Sequence, residues 1–215
     1  WLHVDAAYAG PAAIVPELRH HFVGWERADS VVINPHRWLF TPIDCSILYC
    51  RDPAQLRRAF GLTPEYLQTA EQGSATNLMD YGVALGRRFR ALKLWWVLRS
   101  YGAEGIRHHL REYIRLTEGV AAKIEQHDHL ALTALVHFGL VCFHHRSGNE
   151  ATDALLNTIN RVPNIFLTGS SLDSKHFIRL SIGSTSTTAE AVERLADHRV
   201  AAGLAGDVAG RGEQA

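Results

Sequence analysis

The sequence predicts an α/β fold, and three observations carry that prediction. Short apolar runs at residues 2–4, 30–33 and 46–49 are separated by turn-rich or helix-compatible stretches, the order expected of strands in a mostly parallel sheet. A helical stripe follows, with Leu85, Phe89, Leu92 and Trp96 at i, i+4, i+7 and i+11. Beyond it, short strand-like and helix-like stretches alternate as in a small α+β domain.

Each element has its own local reason. Residues 16–23 read as a short helix between the first two strands. Pro53 suits the start of a helix over 54–60, where its missing N–H has no partner to lose. Residues 61–79 scatter Gly, Ser and Thr without periodicity, which predicts a long mobile loop. The helical stripe predicts a helix over 80–101 with Gly102 as its C-cap. A second helix is expected over 103–126, with Ile106, Leu110, Ile114, Thr117, Ala121 and Ile124 on one face. Residues 130–136 and 140–145 are expected to pair around His137-Phe138-Gly139. Residues 152–161 read as a helix, and 165–168 and 177–182 as strands. A closing helix over 188–205 is capped by Thr187 or Thr188, with Glu190 or Glu193 in its first turns. Residues 206–215 are expected to fray. The expected division is therefore 1–101, 102–205 and a tail.

Composition narrows the function classes. The 215 residues are 47% hydrophobic and 20% charged, with zero formal net charge, which is ordinary for a globular chain. No basic stripe points to nucleic acid. No apolar run approaches the ~20 residues of a membrane span. Asp5 and Pro11 interrupt the first residues before a signal-peptide core could form, so no secretory leader is expected there. Cys45, Cys50 and Cys142 form no C-x-x-C pair and read as free thiols in a reducing, cytoplasmic compartment. Three of the thirteen histidines' groupings are doublets (His20-His21, His108-His109, His144-His145), a spacing that chelates poorly on either a helix or a strand, so no metal site is expected. Because Trp1 already opens a strand that ends in Asp5, the chain is expected to be the C-terminal part of a longer protein.

Asp5 ends an apolar strand, the place where open α/β sheets bind ligands; its other reading is a turn cap. Asn34 and His36 offer N–H donors suited to an anion, and their other reading is an Asn-Pro turn with a surface histidine. Arg37 carries a guanidinium whose pKa, above ~12, keeps it charged, so it pairs with anions and does not act as a nucleophile.

His3-Val4-Asp5-Ala6-Ala7-Tyr8 together with Asn34-Pro35-His36-Arg37-Trp38 resembles the cofactor-binding signature of the pyridoxal-phosphate (PLP) group II amino acid decarboxylases. Asp44-Cys45-Ser46, Thr63-Pro64-Glu65-Tyr66-Leu67, the run from Leu85 to Trp95, and Gly139-Leu140-Val141-Cys142-Phe143 resemble further blocks of the same family, so the likeness covers roughly residues 1–205. It is strongest to the DOPA, tryptophan and tyrosine decarboxylase branch. The resemblance implies fold type I, the aspartate-aminotransferase type. Residues 1–101 would be the C-terminal part of the PLP-binding large domain, and 102–205 the small domain. It also implies a homodimer and decarboxylation of an aromatic L-amino acid to its amine and CO₂.

Residue by residue, the resemblance assigns Asp5 to the pyridine nitrogen, Ala7 to a small surface under the ring, and Asn34 and His36 to the phosphate. Tyr66 matches a tyrosine that protonates the substrate carbon from a loop closing over the neighbouring subunit's site; its other reading is a loop tyrosine without a role. Arg179 matches an arginine of the small domain, which either supports the site or makes a structural ion pair. Three departures stand out. Arg37 occupies the position of the lysine that forms the Schiff base with PLP. Residues that the family carries between Tyr81 and Gly82, including a tryptophan, are missing. The part of the family fold that precedes Trp1, with its ring-stacking histidine, is not in this sequence. Loss of the lysine nucleophile and of positioning each removes factors of ~10² or more. Little or no turnover is therefore expected of this chain. The alternatives are a non-catalytic PLP-binding or dimerising module and the product of a decaying gene.

Overall fold

The computed structural model describes residues 1–61 and 76–196, which fall into two compact units, Trp1–Glu104 and a second beginning at Gly105. The expected loop over 61–79 is described only at its ends, and residues 197–205 of the expected closing helix and the tail lie outside the described residues.

The first unit is built on a three-stranded sheet in the order β1 (His3–Asp5), β2 (Ser30–Ile33), β3 (Ile47–Cys50). β1 and β2 are parallel, with Val4 opposite Val31. β3 is antiparallel to β2, with Val32 opposite Leu48, so the sheet is mixed where a mostly parallel one was expected. The physical reason is the connection: between β2 and β3 the only helix is the four-residue α1 (Pro35–Trp38), too short for a crossover, and the chain turns back. β1 and β2 are joined by three 3₁₀ helices, Gly10–Ile14, Pro16–Phe22 and Trp25–Arg27. Prolines at 11 and 16 start the first two, and Gly24 at φ 101° caps the start of the third. The stretch read as a short helix over 16–23 is therefore a 3₁₀ helix. Ala6, Ala28 and Val31 form a small core, with Val4, Trp25 and Ile33 packed around it. α2 (Pro53–Phe60) begins as expected behind Asp52, whose carboxylate accepts the Ala54 N–H at 3.0 Å.

The long helix differs from expectation at its start. α3 runs Arg90–Glu125, preceded by a 3₁₀ turn at Leu78–Tyr81 and by Gly82 in an extended conformation. Leu85 and Phe89, the first half of the apolar stripe, are exposed, and Gly82 and Gly86 weaken helix propensity there. Periodicity without burial did not suffice to fold this segment. At Gly102, φ 62° and ψ 177° interrupt the helix in a region that favours glycine, at the position read as a C-cap.

In the second unit, Ile106, Leu110, Tyr113, Leu116, Thr117, Val120, Ala121 and Ile124 of α3 are buried. The antiparallel sheet runs β4 (Leu130–Leu132), β5 (Leu140–His145), β7 (Lys175–Ser181), β6 (Thr168–Leu172) in spatial order. The strand expected over 165–168 lies instead at β6, in a hairpin with β7. Asp173 and Ser174 connect them with φ of 49° and 63°, the signs required by a tight type I′ turn. Every residue of β6 is exposed, so no apolar alternation marks it in the sequence. α4 (Asn149–Ile159) packs on this sheet, and α5 (Ala189–Ala196) follows. Thr188 is its cap: the hydroxyl oxygen accepts the Ala191 N–H at 3.2 Å.

Candidate active site

Because β1 and β2 are parallel, their C-terminal ends open on one edge of the sheet, where α/β folds bind ligands. Two backbone hydrogen bonds extend the pairing beyond the strands. The Ala6 N–H donates to the Val32 carbonyl at 3.0 Å, and the Asn34 N–H donates to the Ala7 carbonyl at 3.1 Å. Residues 5–7 and 34–37 are thereby brought together, as the resemblance implies.

Asp5 ends β1 with an exposed carboxylate. One oxygen accepts the Ala7 N–H at 3.0 Å, so the turn-cap reading is realised. The other has no hydrogen bond among the described residues and remains an acceptor. Ala7 is buried and presents only a methyl group. Tyr8 stacks on Trp38, with ring centroids 5.2 Å apart and planes 23° apart, and Trp38 is fully buried. This contact fastens α1 to the turn after β1, so the side chains of α1 have a fixed origin.

Pro35 and Trp38 point inward, which leaves His36 half-buried and Arg37 exposed. The imidazole edge carrying Nδ1 of His36 meets the backbone of Cys45: it accepts the Cys45 N–H at 3.1 Å and also touches the Cys45 carbonyl oxygen. With Nδ1 accepting the Cys45 N–H, the ring N–H is on Nε2, which is the free edge. Asn34 Oδ1 accepts a 2.6 Å hydrogen bond from the Ser46 hydroxyl. The Arg37 backbone N–H donates to the Asn34 carbonyl at 2.9 Å, while its guanidinium makes no hydrogen bond or ion pair among the described residues.

One step further out, Arg90 donates from Nε and Nη2 to Oδ2 of Asp44, at 2.9 and 2.7 Å. Those hydrogen bonds hold the Asp44 carboxyl at a pKa of about 2, below the usual carboxylate range. Burial raises the pKa of the neighbouring Cys45 thiol, the opposite of an activated nucleophile.

Sequence reasoning did not assign Asp44, Ser46 or Arg90 to the site, although Asp44-Cys45-Ser46 stood out as a block. Their partners lie 46 and 12 residues away, beyond any local pattern. Tyr66 lies outside the described residues. Arg179 is exposed on β7 in the second unit, opposite Cys142 and Thr168. Among the described residues no group of three or more His, Cys, Asp or Glu could hold a metal ion, and no helix is long and apolar enough to cross a membrane.

Residues 1–146 match the family model described as the pyridoxal-dependent decarboxylase conserved domain. A histidine decarboxylase of Drosophila melanogaster is 45% identical over 188 residues, covering 87% of this chain and 22% of that protein. An aromatic-L-amino-acid decarboxylase of Drosophila lebanonensis is 42% identical over 193 residues, covering 90% of this chain and 48% of that protein. Among solved structures, Oryza sativa TDC with PLP and tryptamine superimposes with a TM-score of 0.87 at 34% identity, covering 96% of this chain and 45% of that one. The chain thus spans no more than about half the length of these relatives.

Proposed function

The chain belongs to the pyridoxal-dependent decarboxylase family, with the α/β architecture of fold type I, and from that premise we propose that its site serves decarboxylation of an aromatic L-amino acid in the complete fold. The observation that carries this reading is the shared sheet edge, where Asn34 bonded to Ala7 sets Asp5 and Ala7 beside Asn34, His36 and Arg37. The residues fit PLP. Asp5 offers an unused carboxylate oxygen, Ala7 a small apolar surface, and Asn34 and His36 two free N–H-bearing edges suited to a phosphate dianion.

When bound, PLP supplies an electron sink for the pair left as carboxylate departs. This chain's residues prepare for that. Asp5 would hold a proton on the pyridine nitrogen by charge, and its turn bond to Ala7 fixes the carboxylate plane. Ala7 lets a flat ring approach the sheet edge. Asn34 and His36 anchor the phosphate end, their far edges already fixed by Ser46 and Cys45. Tyr66 is the proton donor to the substrate carbon in this reading. Arg37 stands where the family has its lysine, and a guanidinium does not bond the cofactor aldehyde at neutral pH. It holds an anion by charge instead. PLP bound here would have no covalent link through residue 37, and little or no turnover is expected of the 215-residue chain.

A second reading is favoured by the same residue: Arg37 is exposed and unpaired among the described residues while Asp5, Asn34 and His36 are all present. That is the pattern of a module that binds PLP or pairs with a second subunit without catalysis. Homodimerisation and a cytoplasmic setting complete the proposal, the latter in keeping with three free thiols. The test is amine release from aromatic L-amino acids by the purified chain with added PLP, against a PLP-only blank. Release at the blank's rate supports negligible turnover with Arg37 in the lysine's place, and release well above it overturns the claim that Arg37 abolishes turnover.

A further inference from the structure

We propose that Ser46 is a positioning residue that sets the side-chain amide of Asn34 with its N–H end toward a phosphate, an inference that rests on the phosphate role given to Asn34 above. An amide has an acceptor end and a donor end of nearly equal size, so shape alone does not choose which one faces a ligand. The torsion that exchanges them is broad and roughly two-fold, and little resists the wrong orientation. A hydroxyl can also accept, so the choice here rests on the length of one hydrogen bond, which fits O–H···O and is too short for N–H···O. The Ser46 hydroxyl donates to Asn34 Oδ1 at 2.6 Å, which commits the oxygen and leaves Nδ2 without a partner among the described residues. The reverse orientation would set a carbonyl oxygen against phosphate oxygens, acceptor against acceptor.

The rest of Asn34 is already fixed. Its N–H donates to Ala7 and its carbonyl accepts from Arg37, so the amide group is its last free part. Ser46 is fixed in turn. It follows Cys45, whose backbone meets His36, and Asp44, which Arg90 grips through two hydrogen bonds. The segment 44–46 thus orients both phosphate-facing side chains from behind, Asn34 through a hydroxyl and His36 through a peptide group.

The experiment compares pyridoxamine phosphate with pyridoxamine, which differ by the phosphate and cannot condense with lysines, binding to the full 215-residue chain by equilibrium dialysis. In Ser46→Ala, affinity for pyridoxamine phosphate is expected to fall by roughly 3- to 10-fold, the worth of one neutral hydrogen bond, with pyridoxamine unchanged. Ser46→Thr, which keeps the hydroxyl, restores the affinity. In an Asn34→Ala background, Ser46→Ala has no further effect, since the two residues act as one unit. Equal weakening of both ligands, no weakening of either, or a loss that persists without Asn34 overturns the proposal. Where Ser46→Ala fails to fold by circular dichroism, Ser46→Cys, similar in size and a poor donor, carries the same expectations. A wild-type chain that does not bind pyridoxamine phosphate overturns the cofactor reading, and this inference with it. Binding by wild type that Ser46→Ala leaves unchanged overturns the role of Ser46 alone.

Discussion

Arg90 reaches back 46 residues in sequence to grip Asp44 at 2.7 and 2.9 Å, joining the start of α3 to the segment behind the candidate site. The carboxyl pKa of about 2 that results gives a pH prediction. A carboxylate whose folded pKa lies below its unfolded value of ~3.9 stabilises the fold fully above that value. The contribution is lost as pH falls through about 2. Arg90→Gln is expected to return the Asp44 carboxyl toward the ordinary range, read by NMR titration of its side-chain carbon. It should also loosen residues 44–46, read as faster amide exchange at Cys45 and Ser46. An unchanged titration would show that the ion pair does not form in solution.

Trp38 is fully buried and stacked on Tyr8, and it anchors α1 to the turn after β1. Trp38→Ala is expected to cost about 3–5 kcal/mol, a large fraction of a typical domain's stability. Urea denaturation followed by circular dichroism measures it. Tyr8→Ala in the same background should add less than it does alone, because the stacking partner is already gone.

Gly10 tests how closely the first 3₁₀ helix packs on the sheet. A Cβ at this position would lie 2.8 Å from Cγ1 of Ile33, nearer than side chains tolerate. Gly10→Ala is therefore expected to destabilise by about 1–3 kcal/mol. Ile33→Val leaves the offending methylene position branched and should not relieve the clash, whereas Ile33→Ala should recover part of the loss. Additive losses in the Gly10→Ala, Ile33→Ala pair would contradict the contact.

His145 contributes to the acid sensitivity of the second unit. Burial first, then the neighbouring His129, His127 and His144, lower its pKa from the ordinary value of ~6.5. Its ring lies parallel to that of His129, with centroids 5.8 Å apart and planes 12° apart. A histidine with a lowered folded pKa binds fewer protons folded than unfolded, so stability is full above ~6.5 and declines as pH falls below it. His145→Gln is expected to flatten that decline in thermal melts between neutral pH and pH ~5. A decline of unchanged slope would assign it to other groups.

Much of this was readable in the sequence, for reasons that individual residues make plain. Strands β1 and β2 follow from apolar runs that end in Asp5 and Asn34, and the break at Gly102 from its conformational freedom. That Asp5, Ala7, Asn34, His36 and Arg37 lie together was legible because each falls in one of two short motifs. Ser46, Asp44 and Arg90 were not, because their roles exist only through partners distant in sequence. The start of α3 was misread because Leu85 and Phe89 keep a helical spacing yet bury nothing, and β6 because its residues are all exposed. Periodicity reports a buried face, and it misleads where the face is not buried.

The most direct measurement is borohydride reduction of the chain with PLP, followed by peptide mapping of wild type and of Arg37→Lys. The first unit contains one lysine, Lys93, so the competing amines are few. The expected result is no site-specific phosphopyridoxyl adduct in wild type and an adduct at position 37 in Arg37→Lys. A stoichiometric adduct on Lys93 in wild type would contradict the absence of a covalent link, and none at position 37 in a folded Arg37→Lys variant that retains PLP would contradict the assignment of Arg37 to the position of the family's lysine.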